Sequence, residues 1–133
     1  MKRLFMMAAM LLLLASCGTK EKEIYIPKDL QGMDLNDPES EYCYERSALT
    51  ENFVIFWEKG FGNDLSAAPE LEGRDMTIDL ENLKEKLETF YDYFYNDLGF
   101  AKKGSKCDRY RMMVMLRYSL EGTAYGGDYD GEI

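Results

Sequence analysis

The side chains able to do chemistry in this sequence are carboxylates, lysines, tyrosines and three cysteines, because the chain contains no histidine. Without an imidazole there is no Ser-His-Asp or Cys-His nucleophile system and no His-rich catalytic zinc site. Catalysis would have to rest on carboxylates, Lys, Tyr or a bound cofactor. Glu81 and Glu85 have the spacing of one helical turn, but they stand among lysines and read as a solvated face. Carboxylates that cleave glycosides need a fixed separation across a cleft, and nothing in the spacing fixes one. Asp128-x-Asp130-Gly131 matches part of a calcium loop, without the third acidic position and the distant Glu. Gly60-Phe61-Gly62 has neither P-loop nor dinucleotide spacing. No catalytic residue, metal ligand or cofactor is therefore assigned.

Two other groups have binding or covalent potential. Five rings crowd into Phe90-Tyr91-Asp92-Tyr93-Phe94-Tyr95, and a helix cannot bury all of them on one stripe. Tyr91, Tyr93 and Tyr95 are the candidate ligand-contacting aromatics, suited to stacking on a sugar or a protein partner; the alternative is that they pack at a rim or under another part of the protein. Trp57 reads as a ligand platform or, more simply, as a core aromatic. Cys43 and Cys107 each precede an expected strand, so an exported compartment would permit a disulfide between them; two free thiols is the other reading.

The elements that must hold these residues are few. Ile78, Leu80, Leu83, Leu87, Phe90, Phe94 and Leu98 recur at helical spacing, so residues 77–98 are expected to form one long helix. Thr77 or Asp79 caps it and Gly99 stops it. Residues 52–58 form a strand apolar on both faces, which suits burial on two sides. Residues 110–118 form a second strand. The expected fold is α+β or α/β: a small strand-helix-strand unit with one amphipathic helix packed on a short sheet. Residues 31–40, rich in Asp, Asn, Gly and Pro, read as loop. With 25 acidic against 16 basic residues the net charge is −9. Nucleic acid is thus excluded as a partner, and the overall charge gives no attraction to an anionic lipid surface.

The first residues read as an address. Lys2 and Arg3 precede an unbroken apolar run over residues 4–14, too short to span a bilayer and suited to a secretory signal. Leu14-Ala15-Ser16-Cys17, followed by Gly18, resembles the lipobox of bacterial lipoproteins at all four positions. The resemblance implies a signal peptide over residues 1–16, cleavage before Cys17, and lipidation of its thiol and new amino group. Several acyl chains make a durable anchor. Residues 17–35 would then be the lipidated cysteine and a flexible tether, and residues 36–133 a partial α/β domain. The implied location is the bacterial cell envelope, most simply the outer membrane, on a side the sequence does not specify.

Four further motifs resemble lipoproteins of Gram-negative gut-type bacteria that carry a zincin-like metallopeptidase domain. They are Tyr42-Cys43-Tyr44-Glu45-Arg46-Ser47, residues 52–60, Arg111-Met112-Met113-Val114-Met115 and residues 124–130. In that family a Gly-rich turn like residues 125–130 leads to a strand and then to a helix bearing His-Glu-x-x-His, where two histidines hold zinc and the Glu activates water. This chain ends before such a helix, so the resemblance implies an incomplete zincin-like domain: a truncated, catalytically inactive N-terminal part, anchored to a membrane. The alternative function is a stand-alone envelope lipoprotein that binds glycans or a protein partner.

Overall fold

The computed structural model describes residues 20–122. Three strands form one mixed sheet in the order β1-β2-β3: β1 (Ser47–Leu49), β2 (Phe53–Trp57) and β3 (Met112–Leu116). β1 and β2 are antiparallel, with Ser47 opposite Phe56. β2 and β3 are parallel, with Phe53 opposite Met112 and Trp57 opposite Leu116. All five residues of β2 are buried, as a strand apolar on both faces requires. The structure is thus mixed α and β, with a three-stranded sheet and one long helix.

Because side chains alternate across a strand, the central strand needs two covers. Val54 and Phe56, with Met113 and Met115 from β3, pack against Leu30, Leu35 and Tyr42, joined by Ile24, Ile26 and Met33. This cover is the N-terminal segment, including the one-turn helix α1 (Lys28–Gln31). On the opposite face Trp57 and Leu116 meet Phe61, Leu65, Ala68, Ile78 and Leu80, and the Phe53 ring meets Tyr91 edge-on at 6.0 Å between centroids. Each large side chain so buried contributes roughly 1.5–3 kcal/mol.

The N-terminal cover corrects the expectation of a flexible tether over residues 17–35. Glu23 pairs with Tyr110 in a parallel bridge, through Glu23 N–H to the Arg109 carbonyl at 2.8 Å and Arg111 N–H to the Glu23 carbonyl at 2.8 Å. Leu30 and Leu35 are core residues, 4% and 6% exposed. The packed domain therefore begins well before residue 36. Its loop is also fastened from within: buried Arg46 donates to the carbonyls of Pro38 at 2.8 Å and of Ser40.

The expected long helix is present in two parts. α2 (Leu80–Tyr91) is capped by the Asp79 carboxylate, which accepts the Asn82 N–H at 2.9 Å. It continues as a π-helical segment over Asp92–Asp97. Gly99 ends it with φ +63°, a left-handed conformation that favours glycine. The buried line of this helix differs from the apolar stripe. Tyr91 is its buried residue, while Phe90 and Leu98 are about half exposed. The contacts to the sheet and its turn run through Leu80, Glu88 and Tyr91, so Phe90 and Leu98 lie to one side. The wider π turn also shifts the phase of everything after it.

Both described cysteines, Cys43 and Cys107, are free, the second of the two readings left open by the sequence. The reason is strand direction. β1 runs against β2 and β3 runs with it, so the segments preceding β1 and β3 lie at opposite ends of the sheet.

Candidate functional site

Four remote pieces of chain meet at the Lys22 ammonium. Its nitrogen donates to Asn52 Oδ1 at 2.5 Å, the Tyr91 hydroxyl at 2.9 Å and the Cys107 carbonyl at 2.6 Å. An ammonium has three N–H groups, so all are used. The tight turn between β1 and β2 places Asn52. The last turn of α2 places Tyr91, and the short helix α3 (Lys106–Arg109) places Cys107.

Around this centre the remaining polar groups are matched. Glu88, almost one turn before Tyr91, accepts the Asn52 backbone N–H at 2.8 Å and its side-chain amide at 2.6 Å. Tyr95 stacks on Tyr91 at 4.8 Å, and its hydroxyl donates to Asp108, whose carboxylate also accepts the Gly104 N–H. The Arg111 side chain is 7% exposed. It donates to the Thr50 carbonyl at 2.8 Å, the Lys22 carbonyl, and the Glu21 carboxylate at 2.8 Å.

The electrostatics follow from this packing. Burial pushes the Lys22 ammonium below the usual lysine range, against the pull of Asp108 and other negative groups. Burial pushes the Tyr91 phenol up. The bond to Asp108 pushes Tyr95 up to about 12, and the same bond holds Asp108 below the usual carboxylate range. Burial works to raise Glu88, but hydrogen bonds from Thr50 and Asn52 and the nearby Lys22 outweigh it and hold the carboxyl low. A depressed lysine can serve as a base or nucleophile. Here every proton of Lys22 is held by an oxygen, so the arrangement fastens chain segments together.

Two open grooves flank the helix. One, of about 590 Å³, is lined by Thr50, Asp79, Glu81, Asn82, Lys84, Glu85 and Glu88. The other, of about 530 Å³, lies at the start of α2 and includes Trp57, Asp64, Ser66 and Thr77. Both are rich in carboxylates. Among the described residues no group of three His, Cys, Asp or Glu side chains is placed to hold a metal.

The structure separates the three candidate tyrosines. Tyr91 is 7% exposed and Tyr93 51% exposed, while Tyr95 is half-buried with its hydroxyl committed to Asp108. Tyr93 instead joins Phe90, Phe94 and Phe100, whose rings adjoin at 4.2 Å (Phe90–Phe94), 5.3 Å (Tyr93–Phe94) and 5.4 Å (Phe94–Phe100). Trp57 is a core residue whose indole N–H donates to the Gly62 carbonyl at 2.9 Å. Cys17, with the signal expected over residues 1–16, and the Gly/Asp turn of residues 125–130 lie outside the described residues. Lys22, Asn52, Glu88 and Arg111 carry no spacing pattern that would mark them. A charged residue at the head of an apolar strand, as Arg111 is, was the one available hint.

A family model described as "Family of unknown function (DUF6055)" matches residues 16–133. No match is found among curated proteins or among solved structures. The chain belongs to the DUF6055 family.

Proposed function

We propose that this member of the family is a lipoprotein of a bacterial cell envelope, held to a membrane, most simply the outer one, through Cys17. Its sheet and helix serve as the scaffold portion of a zincin-like domain and cleave no peptide themselves. The observation that carries the anchoring is Leu14-Ala15-Ser16-Cys17-Gly18 placed directly after a basic start and an apolar run of signal length. Two features support the scaffold reading. The motifs at residues 52–60 and 111–115 fall on neighbouring strands of one sheet, β2 and β3, with the helix between them in sequence. Among the described strands β3 pairs on one side only, and beyond the single bridge from Glu23 at Tyr110 its outer edge leaves a place for a further strand. With no histidine, the chain offers no His-Glu-x-x-His site of its own. The glycan-binding reading has less support, because Tyr91 and Tyr95 are turned inward and do not share a platform with Tyr93.

Expression in a bacterium tests the anchoring. The mature protein should begin at Cys17, carry the added mass of acyl chains and sediment with membranes. Cys17→Ala should remain unprocessed or be released. A wild-type protein that is wholly soluble, with an unmodified Cys17 thiol, would refute the reading.

A further inference from the structure

The end of the domain that carries Lys22 also exposes a group of rings next to lysines. We infer that this end, made of the π-helical segment and residues 98–109, lies directly on a phospholipid surface bearing anionic headgroups. The inference rests on the proposed anchor at Cys17 and adds to it which face of the domain the membrane meets.

The first argument is reach. Lys22 is locked to Asn52, Tyr91 and Cys107, so the chain is no longer free from that residue onward. Four residues lie between it and Cys17, and the five chain steps span at most about 17 Å at full extension. α2 and the π-helical segment together run from Leu80 to Asp97, roughly 27 Å at helical rise. A domain of that size on so short a leash cannot turn its far end to the bilayer. The near end must face it.

The second argument is what the near end presents. Phe90, Tyr93 and Leu98 are half exposed and Phe100 is 75% exposed, so a contiguous set of rings stands in water. Residues 101–111 carry five basic residues and one acidic one in a chain of net charge −9. Lys102 and Lys103 are exposed; Lys20 and Arg109 also reach solvent but both pair with Glu23 at 3.3 Å, and Arg111 is 7% exposed and pairs with Glu21. Glu21, Glu23, Asp92, Asp97 and Asp108 offset much of this charge, and Lys102 and Lys103 stand beside the rings. Exposed rings flanked by long cations are the composition that settles at a membrane interface, with rings among the headgroups and cations on their phosphates. The charge is opposite to that of the carboxylate-lined grooves along α2, so the two ends of the helix are suited to different surroundings.

The test uses full chains in which Trp57, buried and common to all, gives a constant background. Phe100→Trp places a reporter in the patch. Leu120→Trp places one beyond the other end of β3, at a residue 40% exposed. The proteins are mixed with or reconstituted into vesicles of phosphatidylethanolamine and phosphatidylglycerol with brominated acyl chains. Phe100→Trp should shift to the blue and lose emission, and Leu120→Trp should match the wild type. The loss should shrink when phosphatidylcholine replaces phosphatidylglycerol. Mass spectrometry of the same samples reads Cys17 separately. An acylated Cys17 with unquenched Phe100→Trp overturns the contact and leaves the anchor standing. A free Cys17 with quenched Phe100→Trp removes the anchor and upholds the contact; a free Cys17 without quenching overturns both. Equal quenching of the two reporters, or a concentration-dependent blue shift of Phe100→Trp without vesicles, also counts against the inference, the latter because it assigns the patch to a second copy of the chain.

Discussion

Removing the Glu88 carboxylate should loosen the helix from the sheet more than any other single change on its polar side. Glu88 holds both the backbone N–H and the side-chain amide of Asn52, at 2.8 and 2.6 Å, and Asn52 is only 8% exposed. Glu88→Ala therefore deletes two hydrogen bonds to a charged acceptor and strands two buried donors. Bonds to charged groups contribute about 1.5–3 kcal/mol each in full burial, and with Glu88 partly open to water the expected loss is about 2–4 kcal/mol. Glu85→Ala, on the exposed face, should cost no more than about 0.5 kcal/mol. Urea unfolding followed by far-ultraviolet circular dichroism and by the emission of Trp57 measures both. The pH dependence has a definite sign. The folded state holds Glu88 below the ordinary glutamate value of 4.5, so it binds that proton less readily than the unfolded chain. The contribution is whole above that value and is lost as pH falls through the depressed folded value. Glu88→Gln should lack this acid-side loss. If Glu88→Ala is no more costly than Glu85→Ala, the helix is held by something other than this pair.

A Cβ on Gly60 would lie 2.3 Å from Tyr118 Cδ1 and 2.9 Å from its Cβ, so Gly60→Ala should cost about 1–3 kcal/mol. Tyr118→Ala in the same chain should relieve part of that loss, and strictly additive losses in a double-mutant cycle would show that the two residues are not in contact. Without reductant, Cys107 should react with a maleimide in the folded protein, while Cys43, 1% exposed, should react only after unfolding. Thiols released solely by reductant would restore the disulfide.

What could be read in the sequence was what has a period. β2 announces itself as an apolar run buried on both faces, and the helix shows regular spacing, an acidic cap at Asp79 and a stop at Gly99. The second cover of the sheet has no period. Ile24, Ile26, Leu30, Met33 and Leu35 are spread through Pro, Gly and Asp, and they fit the sheet as loop and a single turn, so hydrophobic spacing could not mark them as core. β1 is three residues long, below the length at which alternation is visible. The direction of the helix face failed for a related reason. Leu80, Leu83 and Leu87 of the apolar stripe are half-buried, but Phe90 and Leu98 are not, and past Leu87 the inner side is held by Glu88 and Tyr91, residues with polar atoms that find partners there. The Lys22 centre was invisible because its members are brought together across most of the chain. The net charge of −9 concealed a basic end by averaging over it.

The bridge between Glu23 and Tyr110 has a consequence for the order of assembly. The residues that close the domain lie far apart in order of synthesis: Lys22 bonds to Cys107 across 85 residues. Closing a loop of that length is entropically costly, and the cost is met before the contact returns anything. Leu30 and Leu35 can meet Tyr42, Val54 and Phe56 earlier, but the fastening at Lys22 and Glu23 must wait until β3 has been synthesised and set beside β2. In a chain so arranged Lys22 and Glu23 find their partners only after most of the described sequence has been made.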